Sequence, residues 1–270
     1  MDPRLATNRR NWNQRVPVHA TSTFYDLAGF KAGRISLNEI ERREVGPVAG
    51  KSLLHLQCHF GMDTMSWARL GAKVTCVDFS AEAISRARSL SDELGIDAEF
   101  VVSNVYDLPD VLDGRFDVVF TSYGVLTWLP DLEGWAKVIA HFLEPGGVFY
   151  IVEGHPFGSV FYNEDDAVDL RPFYPYSTRG AGPIEFEPGP TYTDGPDEEY
   201  GPTFEWGHSV GDILNALISA GLAIEFFHEH HFTAYQALPM MKQGEDGWWR
   251  LDEGRELVPF LFSLKATKPG

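Results

Sequence analysis

Between residues 51 and 153 the sequence alternates short apolar runs with amphipathic stretches, and this alternation constrains the fold more than any other feature. Five strands are predicted, at 51–57, 72–80, 98–105, 116–124 and 147–153. Helices are predicted between them at 62–71 and 81–95, and residues 132–147 are predicted to form a helix followed by a Pro-Gly-Gly turn. Strands that alternate with helices form a parallel sheet covered on both faces. We therefore expect an α/β fold in which ligands bind beyond the carboxyl ends of the strands.

The flanking regions differ from this alternating core. Residues 1–50 are predicted to form an N-terminal helical cap, with helices near 7–15 and 36–44. Residues from 154 to about 208 are rich in proline, glycine, aromatic and acidic side chains, which favours a lid-like insertion over a disordered linker. Regular structure then returns with one helix and two strands, at 209–221, 222–230 and 259–268. We expect residues 51–270 to form one domain that includes the insertion.

Charge and composition restrict the partners of this chain. The formal net charge of −17 disfavours nucleic acid and anionic membrane surfaces as partners. No apolar run approaches the ~20 residues of a membrane-spanning helix, and the basic N-terminus lacks the apolar segment of a secretory signal. Cys58 and Cys76 lie in apolar segments without the spacing of a disulfide framework. We predict a cytoplasmic protein with a small-molecule partner and no bound metal, and a homodimer stays open.

Residues able to contact a ligand follow the predicted strands. The first strand leads into the turn Gln57 to Gly61, which holds a single glycine before a helix that begins at Met62. Asp78 ends the second strand, and an acid at that point can accept hydrogen bonds from both hydroxyls of a ribose. Asn104 and Val105 end the third strand. "TSYG" (121–124) ends the fourth, and "LEPGG" (143–147) precedes the fifth.

This ordered set of strand ends resembles the class I S-adenosylmethionine (SAM)-dependent methyltransferases. The resemblance covers residues 50–153 closely and 209–268 in outline. It implies a Rossmann-like, seven-stranded, mostly parallel sheet with helices on both faces and an antiparallel last strand. It also implies SAM as cofactor, S-adenosyl-L-homocysteine (SAH) as its product, and methyl transfer to a small-molecule acceptor by in-line displacement.

Three residues of the first motif depart from the family pattern. His55 stands where an acid is common, and Gln57 and His59 stand where glycines are common. SAM carries no phosphate, so its loop needs a less close backbone approach than a dinucleotide loop, provided that Gly61 permits the bend. The missing acid leaves the partner of the ligand's ammonium group open between loop carbonyls and Asp63.

The resemblance implies a set of cofactor contacts. Asp78 would bind the ribose, Phe79 would pack on the adenine, and Asn104 and Val105 would hold the adenine amino group and a ring nitrogen. Tyr25, with His19, would close a flap over the cofactor, with helix packing as the alternative. The other predicted contacts lie in the loop, the following helical turn and the end of the fourth strand: Gln57, Cys58, His59, Phe60, Gly61, Asp63, Thr64 and Ser122.

Four residues are candidates for catalysis. By the resemblance, the reacting methyl group lies near the end of the fourth strand, where Tyr123 would line the acceptor pocket or simply pack. Glu153, His155 and His208 fall on the functional edge and are candidate proton acceptors, because histidine is the usual base near neutral pH. The alternative for both histidines is that they cap or orient loops. Trp128 is expected to pack.

Other readings of the sequence are weaker. In "FFHEHHF" (226–232), His228 and His230 share one strand face, but their late position favours a solvated edge over a metal site. The tryptophans 206, 248 and 249 would pack or line a pocket. A nicotinamide-dependent (NAD(P)) oxidoreductase is disfavoured because the loop lacks phosphate-binding glycines. A non-catalytic SAM-binding protein stays open because the first motif is altered.

Overall fold

The computed structural model describes residues 2–194, 198–251 and 256–270. Its helices are α1 Pro3–His19, α2 Leu27–Lys31, α3 Glu39–Val45, α4 Met62–Arg69, α5 Ala81–Leu94, α6 Leu132–Phe142 and α7 Val210–Ser219. Its strands are β1 Ser52–Leu56, β2 Lys73–Asp78, β3 Glu99–Val102, β4 Phe116–Ser122, β5 Leu143–Gly154, β6 Ile184–Phe186, β7 Thr203–Glu205, β8 Ala223–His230, β9 Met241–Gln243, β10 Trp249–Leu251 and β11 Leu261–Thr267.

Seven strands form one sheet in the order β3-β2-β1-β4-β5-β11-β8. The pairs among β1 to β5 are parallel, and β11 is antiparallel to both of its neighbours. The predicted Rossmann-like sheet with an antiparallel last strand is therefore confirmed. Because the chain reverses its direction of winding between β1 and β4, the carboxyl ends of these strands open a crevice for a ligand.

The two faces of the sheet bury different sets of side chains. On β1, Leu54 and Leu56 face the side covered by α6 and α7, while Leu53 faces the side covered by α3 and α4. Successive side chains of a strand point to opposite faces, so a strand buried on both sides is apolar throughout. His55 therefore lies on the same face as Leu53 and is 2% exposed.

The fifth strand begins earlier than expected. The sequence predicted a helix followed by a Pro-Gly-Gly turn over 132–147, but α6 ends at Phe142 and β5 begins at Leu143 with φ −79° and ψ 135°. Pro145 explains the change, since a proline disfavours helical backbone at the residue before it. The third strand is shorter than 98–105, because Asn104 caps a 3-10 turn over Val105–Asp110.

Two hairpins lie in regions for which the sequence predicted no strands. β6 and β7 pair within the proline-rich insertion, and β9 and β10 pair between β8 and β11. Pro196 of the predicted lid lies outside the described residues. In the part of the chain that is described, no helix is both long and apolar enough to cross a membrane.

The N-terminal segment lies over the carboxyl edge of the sheet. α1 is longer than the predicted 7–15, and Asp2 caps its first turn. The Asn8 side chain donates to the Phe204 carbonyl (2.7 Å) and accepts from the Phe204 N–H (2.8 Å), so it pairs with β7 much as a backbone would. Ser80 Oγ donates to Asn13 Oδ1 (2.6 Å) beside the end of β2. The division into a cap of 1–50 and a domain of 51–270 stays a prediction.

Candidate cofactor and acceptor site

In the turn between β1 and α4, two residues that are not glycine adopt the positive φ values that glycine favours. Gln57 and His59 have φ values of 56° and 52°, and Gly61 has 77°. A non-glycine residue pays about 1 kcal/mol or more for this left-handed conformation. The two residues that replace common glycines are therefore held in the backbone conformation that glycine favours.

Hydrogen bonds fix this strained loop in place. Cys58 N–H donates to the Val77 carbonyl (3.0 Å), and Gly61 N–H donates to the Cys58 carbonyl (3.0 Å). Gln57 Nε2 donates to the Val125 carbonyl (3.0 Å), which ties the loop to the residues after β4. Gln57 lines the pocket, and its Oε1 is buried without a partner among the described residues.

Asp78 is the acid that the resemblance matches to the ribose. Its Oδ2 accepts the His59 N–H (2.9 Å) and its Oδ1 accepts the Ser80 N–H (2.8 Å). Burial raises the pKa of Asp78 to about 6, against the opposing effect of these backbone hydrogen bonds. The carboxylate is therefore oriented by the loop itself and keeps unused lone pairs.

A cavity of about 110 Å³ lies beyond the carboxyl ends of β1, β2 and β4. Eight of the predicted site residues line it: Tyr25, Gln57, His59, Asp78, Phe79, Asn104, Val105 and Tyr123. Leu5, Trp12, Trp128, Leu129 and Tyr192 complete much of the wall. Pockets for drug-sized ligands are about 300–1,000 Å³, so the aromatic side chains of the cap fill part of the space.

Aromatic rings from three segments surround His59. Its Nε2 lies 3.0 Å from His19 Nδ1, and His19 Nε2 lies 2.6 Å from Thr191 Oγ1. Trp12, Tyr25 and Tyr192 pack on these imidazoles, and the hydroxyls of the two tyrosines are hydrogen bonded. Burial lowers the pKa of His19 to about 3 and also lowers the pKa of His59. We call His19, His59, Trp12, Tyr25 and Tyr192 the latch cluster.

The other predicted cofactor residues lie behind the cavity wall. Asp63 accepts from the hydroxyls of Ser36 (2.6 Å) and Ser122 (3.1 Å), and burial raises its pKa. Thr64 Oγ1 lies 2.8 Å from His55 Nδ1, so these two residues pair with each other. Cys58, Phe60 and Gly61 shape the turn, and their contacts with a ligand stay predictions.

Glu153 binds backbone rather than the cavity. It accepts the N–H groups of Gly124, Val125, Leu126 and Gly154 at 2.5 to 3.1 Å. Because Gly124 and Val125 line the cavity, Glu153 orients the wall at the end of β4. The carboxylate is 5% exposed, and four backbone donors use its lone pairs.

The two predicted histidine bases lie away from the cavity. His155 Nδ1 accepts the Phe157 N–H (3.1 Å), and its Nε2 lies 3.0 Å from a Glu229 oxygen, between Phe227 and Phe262. His208 Nε2 lies 2.8 Å from the Leu129 carbonyl oxygen. Both arrangements match the loop-orienting alternative, and a catalytic role for either histidine stays a prediction.

A buried acid missed by the sequence analysis lies behind Tyr123. Glu41 on α3 is fully buried, and its Oε2 accepts the Tyr123 hydroxyl (3.1 Å). Its Oε1 accepts the Asn38 N–H (2.7 Å), which forms a capping box. The spacing of Asn38 and Glu41 was a readable signal for the cap, but nothing in it indicated Tyr123.

The histidine-rich strand forms a local polar network. His228 Nδ1 lies 3.0 Å from Glu44 Oε1, and His230 Nε2 lies 3.3 Å from Ser263 Oγ. β8 is the edge strand of the sheet, as predicted for this segment. Trp248 packs on Phe232. Within the described ranges, no three metal-binding side chains come close enough together to hold a metal ion.

Comparison with known proteins agrees with this geometry. Residues 54–151 match the family model described as a methyltransferase domain. A curated relative, the ubiquinone biosynthesis O-methyltransferase of Xanthomonas euvesicatoria, is 36% identical over 104 residues, which are 38% of this chain and 43% of that protein. This chain therefore spans less than half the length of the curated relatives that it matches.

Solved structures extend the likeness over the whole fold. An S-adenosylmethionine-dependent methyltransferase from Mesorhizobium loti aligns with a TM-score of 0.58 at 24% identity, over 88% of this chain and 99% of that one. Another from Clostridium acetobutylicum aligns with a TM-score of 0.59 at 14% identity, over 93% and 94%. Residues 54–151 therefore match a methyltransferase domain, and the solved structures confirm the predicted Rossmann-like fold around it.

Proposed function

We propose that this protein transfers the methyl group of SAM to a small-molecule acceptor. The observation that carries the proposal is the Asp78 carboxylate, oriented by the His59 and Ser80 N–H groups at the end of β2 and facing the cavity. Asn104 at the end of β3 stands beside Phe79 and Val105, which supply an apolar slot for an adenine ring. The ribose hydroxyls of an adenosine would thus meet a carboxylate, and its adenine ring would meet apolar side chains.

The buried, unpaired Gln57 Oε1 is a second feature that suits SAM as the ligand. An unpaired acceptor in a cavity is costly, by about 1–3 kcal/mol, until a donor reaches it. The ammonium group of SAM is such a donor, and Gln57 would then serve where the family's acid is replaced by His55. Asp63, hydrogen bonded to Ser36 and Ser122, would add negative charge behind this position.

Bound SAM supplies a methyl group already activated by the positive sulfur. The chain's own residues then orient the acceptor and exclude water, which are the main requirements of an in-line displacement. Tyr123 and the Gly124–Val125 wall held by Glu153 would contact the acceptor. The latch cluster would close the other side of the cavity.

A hydroxyl oxygen is the first acceptor to test. The curated relatives are named as O-methyltransferases of ubiquinone biosynthesis, and they support an oxygen acceptor at modest identity and partial coverage. The charge of −17 favours a small molecule over nucleic acid. Free buried cysteines suit a reducing cytoplasm, and a homodimer stays open to a measurement of mass in solution.

Calorimetric titration of the purified protein with SAM, SAH, NADH and NADPH tests the cofactor. We expect selective micromolar binding of the first two, and its loss in Asp78→Ala. Asp117→Ala is a matched control, because Asp117 also accepts a backbone N–H, from Ser52, but lies at the start of β4. Binding of NADH alone would favour the oxidoreductase alternative and overturn the proposal.

Transfer of a labelled methyl group then tests catalysis. Catechol, 4-hydroxybenzoate, benzenethiol, aniline and N,N-dimethylaniline would be offered with methyl-labelled SAM. Transfer to any of them supports the proposed function. SAM binding without transfer to any acceptor would favour the non-catalytic SAM-binding protein.

A further inference from the structure

Helix α3 carries two glutamates, the buried Glu41 and the partly buried Glu44, that each accept a tyrosine hydroxyl. Glu41 accepts from Tyr123 on β4 at 3.1 Å, and Glu44, one turn later, accepts from Tyr150 on β5 at 2.8 Å. The pairs differ in their access to the cavity and in the contact of Glu44 with His228. Tyr123 lines the cavity, whereas neither Tyr150 nor Glu44 does. The second pair is thus a structural twin of the first that lacks access to the ligand site.

The surroundings of Glu41 favour a carboxyl group that exchanges its proton near neutral pH. Its side chain is fully buried, and Oε1 is held by the Asn38 N–H. Burial and the negative charge of Asp63 raise the pKa of Glu41 to about 7. Three other groups influence the charge of the Glu41–Tyr123 pair. Asp63 on α4 and Tyr150 on β5 act on the pair directly, and Arg34 acts on Asp63.

Tyr123 is arranged to pass a proton rather than to lose one. Its hydroxyl donates to Glu41 Oε2 and accepts from Asn38 Nδ2 (2.9 Å), so one lone pair of Oη is still unused. Burial and the neighbouring Glu41 raise its pKa above the ordinary value, and the phenol therefore stays protonated. Tyr123 lines the cavity, and its hydroxyl bonds to a carboxylate behind the cavity wall, so an acceptor that reaches Oη could pass a proton through the phenol.

We propose that Tyr123 and Glu41 remove the acceptor's proton, so that the acceptor is a proton-bearing nucleophile such as a hydroxyl or thiol. The acceptor gives its proton to Tyr123 Oη while Tyr123 gives its own to Glu41 Oε2. The acceptor's lone pair forms the new bond to the methyl carbon, and the pair of the broken C–S bond returns to sulfur. Tyr123 is the catalytic residue, and Glu41 acts through it. This inference rests on the proposed function.

A purely structural role predicts a different result. As a cap and packing group, Glu41 would affect stability and would leave the pH dependence of the reaction unchanged. As proton acceptor, Glu41 must be ionised, so the rate constant rises as pH increases through about 7. General acid–base groups contribute about 100-fold or more to rate, so we expect a loss of ~100-fold in Glu41→Gln and in Tyr123→Phe.

The experiment compares the two pairs on α3. Methyl transfer to the acceptor panel is measured against pH for wild type, Glu41→Gln, Glu41→Asp and Tyr123→Phe, with Glu44→Gln and Tyr150→Phe as matched controls. SAM titration confirms that each variant keeps its cofactor site. We expect Glu41→Gln to lose the rising limb, Glu41→Asp to restore part of it, and both controls to retain it.

A second readout does not depend on turnover. In protein labelled with [13C]tyrosine, the Tyr123 resonance, assigned by its absence from Tyr123→Phe, should shift with a midpoint near pH 7 and stop doing so in Glu41→Gln. Absence of this titration, an unchanged pH profile in Glu41→Gln, or transfer to N,N-dimethylaniline alone would each overturn the inference. Absence of both SAM binding and transfer in wild type would instead overturn the proposed function.

Discussion

The Nδ1 atom of His19 lies 3.0 Å from the Nε2 atom of His59, and this contact joins the last turn of α1 to the loop after β1. Both imidazoles are neutral, so one ring donates its N–H in this contact and the other accepts it. The other ring nitrogen of His19, Nε2, lies 2.6 Å from Thr191 Oγ1, so His19 also contacts the insertion after β5. Three segments distant in sequence therefore meet at one edge of the candidate cofactor site.

The buried His19 should make the protein less stable in acid. Its pKa is lowered to about 3, mainly by burial, whereas the unfolded value is about 6.5. Below pH 6.5 the unfolded chain binds a proton that the folded chain does not, so the free energy of unfolding falls as pH falls. When the pH is lowered from 6.5 to 5.5, the free energy of unfolding of His19→Phe should fall by roughly 1 kcal/mol less than that of wild type. Denaturant titrations at the two pH values measure this difference. Trp12→Phe, which perturbs the same cluster without removing a titratable group, should follow wild type.

The left-handed backbone of His59 should reverse the usual order of glycine and alanine. Both His59→Gly and His59→Ala lose the contact with His19, so their difference isolates backbone strain. We expect the glycine variant to be more stable by about 1 kcal/mol, because φ is 52°. The control is exposed Ser85 in the middle of α5, where the backbone is helical. There Ser85→Ala should be more stable than Ser85→Gly, by a similar amount. Equal stability of the two His59 variants would contradict the assigned loop conformation.

Cofactor binding should weaken in acid through Asp78. The proposed ribose contact would use the Asp78 carboxylate, whose pKa is about 6, so the ionised fraction declines as pH drops from 7.5 to 5. Asp78→Asn should reduce SAH affinity by about 30-fold at pH 7.5, as expected for a hydrogen bond to a charged group, and should flatten the pH dependence. Calorimetry at both pH values measures this. A variant that binds as tightly as wild type would argue against the ribose contact.

Removing the Glu153 carboxylate should damage the fold more than any surface acid does. Glu153→Ala leaves four backbone N–H groups without their acceptor, at a cost of about 3 kcal/mol or more. Glu153→Gln keeps one acceptor oxygen and should be intermediate. The control is Glu229→Ala in the same row of the sheet, where a half-exposed side chain should change stability by less than about 1 kcal/mol. Thermal unfolding measures all three.

Local sequence pattern identified the sheet and the backbone of the site. The strand ends near Gly61, Asp78 and Asn104 meet at one edge because parallel strands place their carboxyl ends together. The number of strands and the antiparallel β11 followed from the family resemblance, whereas the structure supplied the order of the strands. Boundaries were less accurate, as at Leu143, where a proline effect overrode the helical pattern.

Long-range contacts could not be read in the same way. Glu41 and Tyr123, or His19 and Thr191, are paired by how α3, α1 and the insertion pack on the sheet, and no local period records that packing. His155 and His208 have the right residue type at the right edge, yet their side chains turn to backbone groups and to Glu229.

The sequence by itself determined the alternation of strands and helices and the crevice at the carboxyl ends of the strands. These follow from local periodicity and from the chain direction of each strand. Only the tertiary structure decided which side chains pair across the site. Burial and hydrogen bonding between distant segments select Glu41 behind Tyr123, fix Glu153 on backbone amides, and hold Gln57 and His59 in a backbone conformation that their residue types disfavour.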